Sequence, residues 1–290
     1  MGNPLRRLAA WPLRHVLDVA GRAYVPGHRL EDALAVARRQ AAQGIACSIG
    51  YFHNWRESPA QLLALSRSIV DATAALEPRG YLSIKAPAFR YDPEVIAALA
   101  TATHDAGTLA HFDSHEPHTA DATLACARQA AALGAAVGIT LPGRWPRSLA
   151  DADEACALGL RVRVVKGEWA DPLAPAHDLR QGYLAVVDRL AGRARAVAIA
   201  THEPRLAREA LSRLQAAGTP CEVELLHGLP SRPLLALARE FAVPVRLYIP
   251  FGIAWRPYAA GKAATNPRIL WWILHDAATG LRHQRHRPPA

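Results

Sequence analysis

Eight apolar runs of strand length, separated by stretches of helical periodicity, constrain this 290-residue chain more than any other feature. The runs are Ile45–Tyr51, Tyr81–Lys85, Thr108–Asp113, Val137–Leu141, Leu160–Val165, Ala196–Thr201, Cys221–Leu226 and Val245–Pro250. Most are near-continuous rather than alternating, the pattern of parallel strands covered on both faces. Between them, Pro59–Leu76 follows Ser58, an N-cap residue with Gln61 three positions on. Pro93–Ala106 begins with proline after Asp92 and stops at Gly107, a first-turn and a C-cap signal. Segments 118–133, 148–157, 177–191, 204–217 and 232–242 repeat the theme, and Trp255–Leu281 has room for one or two more helices. A helix at Leu30–Gln43, ending at Gly44, would precede the first strand and plug the lower end of a barrel.

This alternation predicts a single α/β domain, a (β/α)₈ TIM-type barrel, which needs about 250 residues. The alternative, an open doubly wound sheet, would show a glycine-rich turn after its first strand, whereas Ile45–Tyr51 runs into Phe52-His53-Asn54-Trp55-Arg56-Glu57. The expected divisions are a leader at 1–28, the barrel at 29–282 with its last helix near the mouth, and a basic tail at 283–290.

With 51% hydrophobic and 20% charged residues, such a chain buries a core without disulfides. Cys47, Cys126, Cys156 and Cys221 are scattered, with no C-x-x-C spacing and no zinc-finger histidine, and read as reduced thiols. Arg6, Arg7 and Arg14 interrupt every early apolar run before it reaches signal-peptide length, and no run approaches the roughly 20 residues of a membrane span. The expected location is cytoplasmic. The net charge of +9 invites a nucleic-acid reading, but basic residues are spread through the predicted helices, and only the tail Arg-His-Gln-Arg-His-Arg is dense. The expectation is no nucleic-acid partner. The basic stretch Pro4–Ala20 leaves weak peripheral contact with an anionic membrane open.

Among the 34 basic residues only Lys85, Lys166 and Lys262 are lysine; the other 31 are arginine. Two of the three stand at predicted strand ends. Side chains at the carboxyl ends of barrel strands converge on one mouth, so polar residues there are functional candidates. Strand 2 ends at Lys85, strand 3 at Asp113, strand 5 at Lys166 after Arg163, strand 6 at Thr201 and His202, strand 7 at Glu224 and His227, and strand 8 at Tyr248.

These strand ends resemble those of the flavin-dependent proline dehydrogenases. The family's ordered pieces are an Arg-x-Val-Lys-Gly strand, an Ala-Thr-His strand end, a Leu-x-Gly segment, and a Tyr-x-Pro-Tyr/Phe-Gly strand leading to Trp-x-Pro-Tyr. They appear here as Val-Arg-Val-Val-Lys-Gly-Glu-Trp, Ile-Ala-Thr-His-Glu-Pro, Glu-Val-Glu-Leu-Leu-His-Gly and Val-Arg-Leu-Tyr-Ile-Pro-Phe-Gly-Ile-Ala-Trp-Arg-Pro-Tyr. Leu-Ser-Ile-Lys-Ala-Pro and Ala-His-Phe-Asp-Ser-His-Glu match in the same order, so the likeness covers about residues 30–280. It implies FAD-dependent oxidation of L-proline, or of a related cyclic or secondary amine, by hydride transfer to the flavin. Proline would give pyrroline-5-carboxylate, and an unidentified acceptor would take the electrons. Carried over by position, Arg163, Val165, Lys166, Gly167, Trp169, Thr201 and His202 would contact the flavin. Lys85, Asp113, Tyr248 and Tyr258 would do the chemistry, and Lys85, Leu226, Tyr248, Tyr258 and Lys262 would bind substrate. The chemistry is consistent, because a flavin taking hydride develops negative charge at its N1–C2 edge, and cations on rigid strands stabilise it.

The chain also departs from the family. Two adjacent arginines that clamp the substrate carboxylate are replaced in Tyr258-Ala259-Ala260-Gly261-Lys262, where lysine is a point charge without the planar bidentate fork. A following glutamate is Thr265, and a fourth-strand glutamine corresponds to Pro142. Three other readings stay open: a barrel that has lost catalysis and kept a binding role, a Schiff-base lyase using Lys85 or Lys166, and a metal site at His111, Asp113, His115 and His118. For the last, solvated loop histidines are the better account, and no metal is expected. Trp255, Trp271 and Trp272 read as helix packing residues rather than a base-stacking platform.

Overall fold

A computed structural model describes residues 25–54, 56–175 and 178–252. The strands are β1 (Ala46–Phe52), β2 (Tyr81–Ile84), β3 (Leu109–Phe112), β4 (Ala136–Pro142), β5 (Arg161–Val165), β6 (Ala196–Ala200), β7 (Cys221–Leu226) and β8 (Val245–Gly252). Each pairs in parallel with its sequence neighbour, and β8 pairs with β1 from Ala46↔Arg246 to Phe52↔Gly252. That closure excludes the open doubly wound sheet.

The helices are α1 (Leu30–Ala41), α2 (Pro59–Ala74), α3 (Pro93–Asp105), α4 (Ala120–Ala132), α5 (Ser148–Ala157), α6 (Leu179–Leu190), α7 (Pro204–Ala216) and α8 (Arg232–Glu240). Their starts follow the capping chemistry. Ser58 Oγ accepts from the Gln61 N–H at 3.3 Å while the Ser58 N–H donates to Gln61 Oε1 at 2.9 Å, and Asp92 Oδ1 caps α3 through the Glu94 and Val95 amides. Strands β2 and β3 stop one residue before the lengths expected from sequence. Lys85 caps a 3₁₀ turn at Ala86–Phe89, and the Asp113 N–H still reaches Ile84 O at 2.9 Å.

The helix before the first strand does not plug the barrel. α1 lies along β1 and β8, and the Cys47 Sγ is 3.8 Å from Ala37 O. Cys47 alternates with Ser48, which points inward, so α1 packs on the outer wall at the seam that closes the ring. Its amphipathic stripe explains the choice, because Ala33, Leu34, Val36, Ala37 and Ala41 are buried on one side. Before it, the Gly252 N–H donates to Gly27 O at 3.2 Å, tying residue 27 to the end of β8. Residues 1–24 of the expected leader and the whole basic tail lie outside the described residues, as does Trp255–Leu281.

Alternation divides the sheet into two environments. Ile49, Ile84, Phe112, Ile139, Val164, Ile199, Val223 and Phe251 face the helices and are 4% exposed or less. Full burial of such side chains stabilises by roughly 1.5–3 kcal/mol each. The residues between them face the barrel axis, and many carry charge. Among the described residues no helix is long and apolar enough to cross a membrane, and all four cysteines are free.

Candidate functional site

The barrel axis holds a chain of buried ion pairs. Arg163 on β5 donates to Asp113 Oδ1 at 2.7 Å and to Glu224 Oε1 at 2.6 Å. Its guanidinium also reaches Tyr81 Oη at 3.2 Å and Ser83 Oγ at 3.3 Å. Ser48 and Tyr81 donate to Glu224 as well, at 2.8 and 3.2 Å. One layer lower, Arg161 and Arg246 converge on Glu222, Arg246 at 2.7 Å. Each partner's neighbours decide its ionisation. Burial opposes the charge of Asp113 and Glu224, but Lys85 and Arg163 beside the first, and Arg163 and Arg161 beside the second, outweigh it and hold both carboxyls well below the usual range. His111 lies in the same layer, stacked on Tyr81 and bonded through Nε2 to Thr140 Oγ1 at 2.9 Å. Burial first, then Arg163 and Arg161, push its pKa far down, so it is a neutral imidazole.

Above this layer the mouth begins. Lys85 is 9% exposed, and its ammonium donates to Asp113 Oδ2 at 2.9 Å and to Tyr248 Oη at 3.1 Å. It also lies 5.1 Å from the centre of the Phe52 ring. Burial works against the ammonium, yet Asp113 and Tyr248 more than compensate and raise its pKa above the ordinary lysine value. Burial likewise raises Tyr248, which stays a neutral phenol. His53 and His115 are both shifted down by burial and by Lys85, His115 to about 4. Lys85 therefore stands at the mouth as a fixed ammonium among neutral rings. Three expected residues, Lys85, Asp113 and Tyr248, meet here from three different strand ends.

The expected cofactor residues gather on the ends of β5 and β6, with different commitments. Arg163 is the hub of the axial network, and its buried Nε has no partner among the described residues. Val165 contributes its carbonyl to the Gly143 N–H at 2.8 Å. Lys166 pairs with Glu203 at 2.6 Å, and Glu203 also takes Arg180 at 3.2 Å. Gly167 has φ +91°, a left-handed conformation that favours glycine, and a Cβ there would meet Pro142 Cβ at 2.8 Å. Trp169 leans toward His115, with ring centres 6.0 Å apart. Thr201 Oγ1 accepts from the Glu203 N–H at 3.2 Å. His202 is fully engaged by backbone: the Leu226 N–H donates to Nε2 at 3.0 Å, which leaves the Nδ1 proton for Pro230 O at 3.1 Å. It thus clasps β6 to the Leu226 end of β7, and only its ring face is left for a ligand. Tyr258 and Lys262 lie outside the described residues.

The possible metal ligands diverge. His111 turns to Thr140, Asp113 to Lys85 and Arg163, and exposed His118 pairs with Glu116; among the described residues no three His, Cys, Asp or Glu are grouped to hold a metal ion. Sequence reasoning passed over Tyr81, Ser83, Arg161, Glu222 and Arg246. For Arg161 and Glu222 the signal was charge at every second position, Arg161 and Arg163 in β5 and Glu222 and Glu224 in β7. Arg144 and Trp145 carry no such signal because they sit in a loop.

No protein-family model matches the chain. Over 278 residues it is 25% identical to a proline dehydrogenase of Deinococcus radiodurans, covering 89% of each chain. The chain is thus similar to proline dehydrogenases over most of its length. Proline dehydrogenase 1 of Bacillus subtilis is 22% identical over 274 residues, covering 88% of this chain and 90% of its own. Among solved structures, proline utilization A from Bdellovibrio bacteriovorus, inactivated by N-propargylglycine, superposes with a TM-score of 0.71 at 15% identity over 83% of this chain. The Bradyrhizobium japonicum protein of the same name gives 0.67 at 19% identity over 88%. This chain spans about a third of those two structures, 32% of each, and the likeness there is one of fold. The closed barrel agrees with the fold expected from the strand–helix alternation, and the proline dehydrogenase match with the resemblance expected from the strand ends.

Proposed function

We propose that this chain is a cytoplasmic FAD-dependent oxidoreductase that oxidises the C–N bond of L-proline, or of a related cyclic or secondary amine, to the imine. The observation that carries the reading is the cluster of Lys85, Asp113 and Tyr248 at the carboxyl end of a barrel whose sequence aligns with a proline dehydrogenase over 89% of its length. The axial charges point the same way. Lys85, Arg161, Arg163 and Arg246 face Asp113, Glu222 and Glu224, so four cations meet three carboxylates and leave one positive charge for an anionic ligand.

The residues present suit a flavin. Arg163 keeps an Nε–H that has no partner among the described residues, Gly167 turns the chain at the end of β5 with φ +91°, and Lys166 offers a second cation on the same strand end. With Val165, Trp169, Thr201 and His202 these are the groups that would hold FAD, which when bound takes a hydride from the carbon next to the substrate nitrogen. Lys85 remains an ammonium, so it attracts a carboxylate and does not take a proton from the amine. Asp113 keeps Lys85 charged and aimed, and Tyr248 fixes its second N–H. The neutral rings of Phe52, Tyr248, His53 and His115 restrict water and suit the apolar ring of a cyclic amine. A Schiff base requires the free amine, the form that the Asp113 ion pair disfavours at Lys85. The test is the visible spectrum of the purified protein, which is expected to carry an oxidised-flavin band that bleaches when proline is added without oxygen.

A further inference from the structure

Strands β4 and β5 continue to hold each other beyond their last paired residues, Pro142 and Val165. The Gly143 N–H donates to Val165 O at 2.8 Å and the Arg144 N–H to Lys166 O at 3.1 Å. Side chains then take over. Arg144 Nη1 donates to Glu168 O at 2.6 Å, and Trp145 Nε1 donates to Trp169 O at 2.8 Å. Four carbonyls, those of 165, 166, 168 and 169, are thus held by three successive residues of one neighbouring loop. At the fifth residue, Gly167, a Cβ would lie 2.8 Å from Pro142 Cβ and 3.2 Å from Arg144 Cβ, so the two loops touch there with no side chain between them.

The holding loop is itself anchored. Trp145 is 2% exposed, and its backbone N–H reaches Pro142 O at 3.2 Å. Gly143 presses onto α6, where a Cβ would stand 2.5 Å from the Tyr183 Cα. A buried indole N–H needs an acceptor, and here that need is met by a carbonyl of the segment carrying Lys166 and Trp169.

We propose that Arg144 and Trp145 are positioning residues: they set the backbone of Lys166–Trp169, and through it the cation and the ring that segment presents to a ligand in the mouth. The proposal rests on the flavin reading above. A loop ordered before binding saves the ligand the cost of ordering it, so loosening the clamp weakens binding without altering any group that touches the ligand.

Trp145→Phe removes the N–H and keeps most of the ring; Arg144→Met keeps the stem and removes the donor; Arg144→Lys can still donate to Glu168 O. Two readouts apply to the full chain: FAD titration of the flavin-free protein and amide hydrogen exchange across 143–170. Trp145→Phe and Arg144→Met are each expected to weaken FAD about 10-fold, or about 1.4 kcal/mol, and to speed exchange of the Gly143 and Arg144 amides, which bond Val165 O and Lys166 O, while β5 stays protected. Arg144→Lys is expected to recover most of the affinity. Unchanged exchange and FAD affinity within about twofold of the parent would overturn the proposal. So would exchange rising equally in β5, which signals general loosening. If the parent takes up no FAD, the flavin reading fails, and the exchange pattern alone decides whether the clamp exists.

Discussion

Gly50 and Tyr248 shape each other across the seam that closes the barrel: a Cβ on Gly50 would lie 2.0 Å from Tyr248 Oη. The phenol that bonds Lys85 therefore fills the space over a residue with no side chain, on the strand paired with its own. Gly50→Ala should push Tyr248 aside, break its bond to Lys85 and cost about 1–3 kcal/mol, the usual range for overfilling a packed site. Urea unfolding measures the cost. Substrate turnover should fall further than stability alone explains, because the Lys85 geometry is lost with the phenol.

Arg163 and Lys166 stand three residues apart and should differ sharply in the stability that truncation costs. Arg163→Ala leaves Asp113 with Lys85 alone and Glu224 short of its closest cation, both buried, and breaking such pairs typically costs about 3–5 kcal/mol. Lys166→Ala removes a half-exposed pair with Glu203 and should cost under about 1 kcal/mol while weakening the flavin. Unfolding midpoints and bound-flavin content of the two variants, measured side by side, check this.

His111 makes stability depend on pH. Its folded pKa lies well below the 6.5 of an ordinary histidine, so below that pH the unfolded chain takes up a proton that the folded one refuses. The contribution is fully present above about pH 6.5 and is lost as pH falls, at about 1.4 kcal/mol per pH unit. Unfolding free energies of the parent and of His111→Asn at about pH 7 and about pH 5 should show a shallower decline in the variant by that slope.

Gly261 and Lys262, standing where the resemblance would place an arginine pair, predict a gain of function. If Lys262 alone meets the carboxylate, proline binds roughly 10- to 1000-fold more weakly than at a site with two arginines, given about 2–5 kcal/mol for a lost charge partner. Gly261→Arg with Lys262→Arg should then lower the proline concentration needed for half-maximal flavin reduction. A double variant that keeps its flavin and reacts no better with proline points to a substrate without a carboxylate.

Much of this was legible in the chain. Near-continuous apolar strands and good caps at Ser58 and Asp92 placed every described strand and helix within a few residues, because both signals are local. The strand-end residues Lys85, Asp113 and Tyr248 could be named because barrel topology brings strand ends together whatever lies between them. The axial role of Arg163 was not legible as such, since its partners Asp113 and Glu224 come from strands distant in sequence. The backbone duties of His202 and the clamp at Arg144 and Trp145 depend on loop conformations that no periodicity encodes. The place of α1 followed from which seam was uncovered, a property of the closed ring.

Anaerobic titration of the purified protein with L-proline, followed through its visible spectrum, decides whether this barrel oxidises an amine through a bound flavin. The expected result is an oxidised-flavin band that bleaches with added proline, less readily in Lys85→Met, which loses the ammonium between Asp113 and Tyr248. A protein that binds no flavin, or a bound flavin that neither proline nor any cyclic or secondary amine reduces, would contradict it.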